Sequence, residues 1–132
     1  MRRFSSGAFL CAIAVAAGAF GAHGLRDALD SHALELWETA SRYLLYAGLA
    51  LMVIQFSGRT VGHAPGLTED SSAGRRRLAE GLLLAGGLVF SGTVFALALG
   101  APRWLGAVTP LGGGAMIAGF LVLSWAMPRR SD

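Results

Sequence analysis

Residues 81–101, GLLLAGGLVFSGTVFALALGA, run for 21 positions without one charged side chain. An α-helix rises about 1.5 Å per residue, so about 20 such residues cross a hydrocarbon core about 30 Å thick. The stretch therefore reads as a membrane-spanning helix. Three more uncharged runs accompany it: Phe4 to Leu25 (22 residues), Tyr43 to Gly58 (16) and Trp104 to Pro128 (25). The 16-residue run is short for a span, but Arg42 and Arg59 at its ends have long stems that snorkel toward headgroups and extend it. The expected fold class is all-α, a single integral-membrane four-helix bundle over residues 1–132, with spans near 5–24, 41–58, 79–100 and 110–127.

Composition agrees. Of the 132 residues, 54% are hydrophobic and 14% charged, and the mean hydropathy is +0.55. Soluble domains carry about 25% charged residues, so this chain is too apolar for water. A disordered chain, a disulfide-stapled module and a nucleic-acid binder are excluded, although the net charge is +3 and the isoelectric point is near 10.0. Cys11 is the only cysteine and forms no internal disulfide. It is expected to be a small packing residue.

Four crossings put both termini and the loop between the second and third spans on one side. That side holds Arg2, Arg3, Arg59, Arg75, Arg76, Arg77, Arg129 and Arg130, whereas the other holds only Arg26, Arg42 and Arg103. The positive-inside bias then predicts an inner (plasma) membrane protein with both termini in the cytoplasm. Arg2 and Arg3 followed by Ala17-x-Ala19 also resemble a cleaved signal peptide, but glycine and alanine continue past that point at Gly21, Ala22 and Gly24.

The connection from Arg26 to Arg42 is patterned. Leu36, Trp37, Ala40, Tyr43 and Leu44 recur at helical spacing, with Glu35, Glu38 and Arg42 opposite. This predicts a short amphipathic interfacial helix, capped by Asp30 or Ser31 and supported by a Glu38–Arg42 pair. One continuous helix into the second span fits the same spacing. The stretch from 59 to 74 mixes glycine, proline, serine and acids without periodicity and reads as a flexible cytoplasmic linker. It leads into Arg75, Arg76 and Arg77, which suit anionic lipid. Thr109 as cap and Pro110 at the first helical position open the fourth span, leaving Trp104 at the interface.

Lipid gives helices no hydrophobic reason to pair, so packing relies on small residues. Ala14, Gly18 and Ala22 make one ridge, with Ala17 and Gly21 beside it. Gly114 with Ala118 and Ala115 with Gly119 make others, and Gly81, Gly86, Gly87 and Gly92 thin the third span. These faces are expected to point inward.

Intramembrane polar groups are the candidate sites: His23, Gln55, Glu80, Ser91, Thr93 and Thr109. His23, at the outer end of a glycine-rich helix, can titrate near neutral pH, bind a headgroup, or simply bond a loop carbonyl. Glu80 is expected to pair with Arg76 or Arg77. The glycines of GAFGAHG lack dinucleotide-motif spacing, and the chain has no lysine for a phosphate loop. His23, His32 and His63 share no ligand spacing, and Ser91 has no base in sight, so no metal, cofactor or enzymatic activity is expected.

Four motifs in order resemble those of a known family. They are GAFGAHGL at 18–25, with Gly18, Gly21, His23 and Gly24; WETASRY at 37–43, with Trp37, Thr39 and Tyr43; FSGT at 90–93, with Ser91 and Gly92; and RWLGAVTPLGGG at 103–114, with Arg103, Trp104, Thr109, Pro110, Gly112 and Gly113. The chain is similar in these to the YgdD/YwdK-like small membrane proteins of domain-of-unknown-function family 423, which have mitochondrial relatives. The resemblance implies a four-span inner-membrane protein without an established activity. One departure stands out: the family pattern has a histidine four residues after the tyrosine, and this chain has Ala47.

The function expected is a non-enzymatic packing or interaction partner in the membrane, in contact with lipids and with itself or a larger membrane complex, without nucleic acid. The alternative is a component of a small transporter or channel, with His23, Arg103 and Thr109 lining an outward vestibule.

Overall fold

The computed structural model describes residues 5–60 and 69–126. Residues 61–68 of the expected linker, His63 among them, and the terminal arginines at 2, 3, 129 and 130 lie outside these. Four α-helices and one short 3-10 segment form in chain order: α1 (Ser6–His23), α2 (Ser31–Thr60), α3 (Glu69–Ala98), the 3-10 segment Arg103–Ala107, and α4 (Thr109–Ala126). No strand occurs among the described residues.

The ends have local causes. Ser5 caps α1, its hydroxyl accepting from the Ala8 N–H at 3.3 Å. Asp30 caps α2, accepting from the Ala33 N–H at 2.8 Å. α3 closes at Gly100, whose φ of +86° lets the Ala101 N–H reach back to the Ala96 carbonyl at 2.9 Å. α4 starts at Thr109 itself, so Pro110 is its second residue.

Two expectations change. The interfacial helix and the second span are one unbroken helix of 30 residues. Nothing between Ser31 and Thr60 interrupts it: there is no proline, and Glu38 pairs with Arg42 across one turn. α3 likewise begins at Glu69, ahead of the arginine triplet and inside the expected linker.

α1, α3 and the segment ending in α4 are long and apolar enough to cross a membrane; α2 is not among these three. The helices alternate in direction. α1 meets α2 with Gly7 near Met52 and Gly21 near Trp37; α2 meets α3 with Gln55 near Glu80 and Trp37 near Phe95; α3 meets α4 with Leu83 near Gly119 and Thr93 near Thr109. Ser5 and Ala126 therefore share the end that holds Gln55 and Glu80.

Packing follows chain order, α1 on α2, α2 on α3 and α3 on α4, and α4 makes no extensive contact with α1 among the described residues. The arrangement is an open row rather than the inward-facing bundle expected. In lipid, apolar side chains gain little from closure, so contacts form where small residues let backbones approach. A Cβ on Gly7 would stand 2.7 Å from the Gly48 carbonyl oxygen, and one on Gly86 would stand 2.8 Å from that of Gly112. The core is correspondingly small-sided, with Ala14, Ala50 and Ala79 beside Leu10, Leu44, Leu51, Ile54 and Leu83. Large apolar residues face outward instead, up to 75% exposure at Trp125 and 71% at Leu111. That inverts the pattern of a soluble protein and suits hydrocarbon as solvent.

Candidate functional site

At the end where α1 finishes, Trp37 organises three helices. Its Nε1–H donates to the Ala17 carbonyl of α1 at 2.8 Å. Its ring lies 4.6 Å from that of Phe95 on α3 and 6.3 Å from that of Phe20. Gly21 makes room for it: a Cβ there would fall 2.4 Å from the indole Cδ1. Beside this hub opens a cleft of about 410 Å³ lined by Gly18, Gly21, Ala22, Arg26, Leu34, Trp37 and Glu38. Gly18 keeps its floor open, since a Cβ there would meet only the Ser41 Cβ, at 3.9 Å.

His23, Arg103 and Trp104 are exposed at the same end, and none of them lines that cleft. Thr109 is engaged elsewhere, its hydroxyl 2.9 Å from that of Thr93, which also bonds the Val89 and Phe90 carbonyls. His23, Arg103 and Thr109, expected to share a vestibule, therefore do not line the cleft at this end. Gly24 terminates α1, its N–H donating to the Phe20 carbonyl at 2.6 Å. Thr39 is half-buried on α2.

The middle of the row is tight. Tyr43 packs on Phe90 with ring centroids 4.6 Å apart, and on Tyr46 at 5.6 Å. Gly112 lets α4 reach α3, where a Cβ would stand 2.4 Å from the Phe90 nitrogen, and Gly113 lies beside the Phe90 ring. Ser91 is buried, and its Oγ has no hydrogen-bond partner among the described residues. Gly92 faces away from the helices, with nothing within 4 Å of an added Cβ; the same holds for Gly81 and Gly114.

The opposite end carries a network that sequence reading missed as a unit. The Ser5 hydroxyl donates to Gln55 Oε1 at 2.7 Å, and Gln55 Nε2 donates to Ser6 Oγ at 2.8 Å and to Glu80 Oε1 at 3.1 Å. One amide thus ties α1, α2 and α3. Glu80 is held by Gln55, and among the described residues it does not make the expected ion pair with Arg76 or Arg77. The signal lay in four polar residues at the same end of three adjacent helices, which only their antiparallel register connects. The Cys11 thiol sits between α1 and α2, 3.9 Å from the Met52 sulfur. Among the described residues no group of three metal-ligating side chains converges.

A family model described as "Protein of unknown function (DUF423)" matches residues 17–113. The chain belongs to the DUF423 family. It is 42% identical over 117 residues to a UPF0382 membrane protein of Staphylococcus epidermidis, covering 89% of this chain and 87% of that one. It is 36% identical over 121 residues to the UPF0382 membrane protein YwdK of Bacillus subtilis, covering 92% and 87%. No solved structure gives a significant match. The DUF423 chain is thus a bacterial-type membrane protein whose matched segment includes Trp37, the cleft, Gln55, Glu80 and the Thr93–Thr109 contact, while Ser5 and Ser6 precede it. Ala47 of this DUF423 protein is closely packed: it is fully buried, and a Cβ on Gly87 would stand 2.5 Å from its own.

Proposed function

We propose that this protein is a four-span, non-enzymatic component of the bacterial inner membrane, with both termini cytoplasmic, that works by helix contact with a second membrane-embedded chain. The observation that carries the reading is the outward face of α3. Gly81 and Gly92 lie eleven residues apart, about three turns, and so share one side of the helix, where an added Cβ would meet nothing within 4 Å. Small residues on an unpartnered face of a membrane helix leave room for another backbone to approach. The open row, with α4 not closed onto α1, leaves further surface for such a partner.

Four crossings are supported by register. α2 lies antiparallel between α1 and α3 along their length, so it shares their depth although its own hydropathy is lower. Both chain ends then fall on one side, and the arginine bias assigns that side to the cytoplasm.

The test is disulfide trapping in native membranes. In a Cys11→Ala background, Gly92→Cys is expected to form a covalent dimer or a defined heteromeric adduct on mild oxidation, while Phe9→Cys on the far side of α1 does not. Equal, weak trapping at both positions would remove the reading. A reporter fused after Asp132 should read as cytoplasmic.

A further inference from the structure

The cleft beside Trp37 has the makings of a ligand site rather than a packing defect. One wall is held in place: the indole of Trp37 is bonded to the Ala17 carbonyl and flanked by the Phe20 and Phe95 rings, and Gly21 has no room for a side chain against it. Its volume of about 410 Å³ lies within the usual range of about 300–1,000 Å³ for small-molecule sites.

The lining is chemically divided. Arg26 brings a guanidinium that makes no ion pair among the described residues. Glu38 brings a carboxylate, one oxygen of which is paired with Arg42. Ala22 and Leu34 are apolar, and Trp37 is aromatic. A guanidinium binds a phosphate through paired N–H groups, and a carboxylate accepts hydrogen bonds from a primary ammonium.

Depth points the same way. α1 has 18 residues, which at about 1.5 Å each come to roughly the thickness of a hydrocarbon core, and the cleft sits at its end. The exposed Trp104 lies at this same end of the row, as aromatic residues of the headgroup belt do.

We propose that this cleft binds the headgroup of a zwitterionic phospholipid bearing a phosphodiester and a primary ammonium. Arg26 holds the phosphate, Glu38 receives the ammonium, and Ala22 and Leu34 flank the glycerol and the start of an acyl chain. The hydroxyls of phosphatidylglycerol can donate to Glu38, but they bring no positive charge to it, so that lipid leaves the carboxylate without a charge-assisted bond. A quaternary ammonium offers Glu38 no N–H. The site therefore selects phosphatidylethanolamine over both phosphatidylglycerol and phosphatidylcholine.

The experiment is native mass spectrometry of the full chain released from nanodiscs containing the three lipids in equal amounts. The wild-type protein is expected to retain phosphatidylethanolamine preferentially. Loss of a charge-assisted bond in Arg26→Ala should cut total lipid retention about tenfold. Glu38→Gln should keep binding but lose the preference for phosphatidylethanolamine over phosphatidylglycerol. Gly18→Leu should fill the cleft and release lipid without loss of helicity, because no backbone lies against that position. Arg103→Ala, an exposed arginine at the same end, should behave as wild type. Equal retention of all three lipids by the wild type, undiminished retention in Arg26→Ala, or an equal loss in Arg103→Ala would overturn the proposal.

Discussion

Trp37 and Ala17 are joined across two helices by a hydrogen bond from the indole N–H to a main-chain carbonyl, 2.8 Å long. The carbonyl already belongs to a helix, so the bond uses its second lone pair, and it fixes the depth at which α2 sits against α1. Around that point the packing tolerates no extra atoms on one side and leaves a cleft on the other.

The contrast between Gly21 and Gly18 follows directly. Gly21→Ala places a methyl group 2.4 Å from the indole, and overpacking of this kind costs about 1–3 kcal/mol. Gly18→Ala meets only ordinary contact. Thermal unfolding in mild detergent should show a clear loss for the first and little change for the second.

A second pair tests the α3–α4 contact. Gly112→Ala collides with the Phe90 backbone, whereas Gly114→Ala meets nothing within 4 Å. Backbone cannot yield as a side-chain tip does, so Gly112→Ala should be the more damaging of the two. Measured midpoints that fail to separate the two variants would contradict the register of α4.

Gln55→Leu keeps side-chain bulk while removing the donor to Ser6 and Glu80 and the acceptor for Ser5. Interhelical hydrogen bonds in membranes are worth about 0.5–2 kcal/mol, so destabilisation in that range is expected. Glu80→Gln retains an acceptor for Gln55 and should cost less, measured by the same unfolding assay.

Ser91→Ala should stabilise the protein or leave it unchanged. The hydroxyl is buried without a partner among the described residues, and a buried polar group without a bond is unfavourable by about 1–3 kcal/mol. A marked drop in unfolding midpoint would reveal a partner for it, such as an ordered water.

The uncharged runs, the Asp30 cap and the Glu38–Arg42 pair were legible because each is a property of neighbouring residues: hydropathy sums over a window, and caps and i, i+4 pairs span one turn. The interfacial helix was misread at its junction, since amphipathic spacing at Trp37 to Tyr43 continues in phase into the second span and offers no breaker. Among the glycines, composition could not say that Gly21, Gly86 and Gly112 face a neighbour while Gly81, Gly92 and Gly114 face away.

What the amino-acid order determined by itself was the solvent and the helical state of the apolar segments, because a backbone in hydrocarbon must bond within its own segment. What only the tertiary structure decided was which side of each helix packs, that the row stays open, that Gln55 reaches both Ser6 and Glu80, and that a cleft forms between Arg26 and Glu38. The reason is physical: lipid accepts apolar side chains on every face, so no amphipathic pattern marks the packed side, and helices settle where distant small residues allow their backbones to meet.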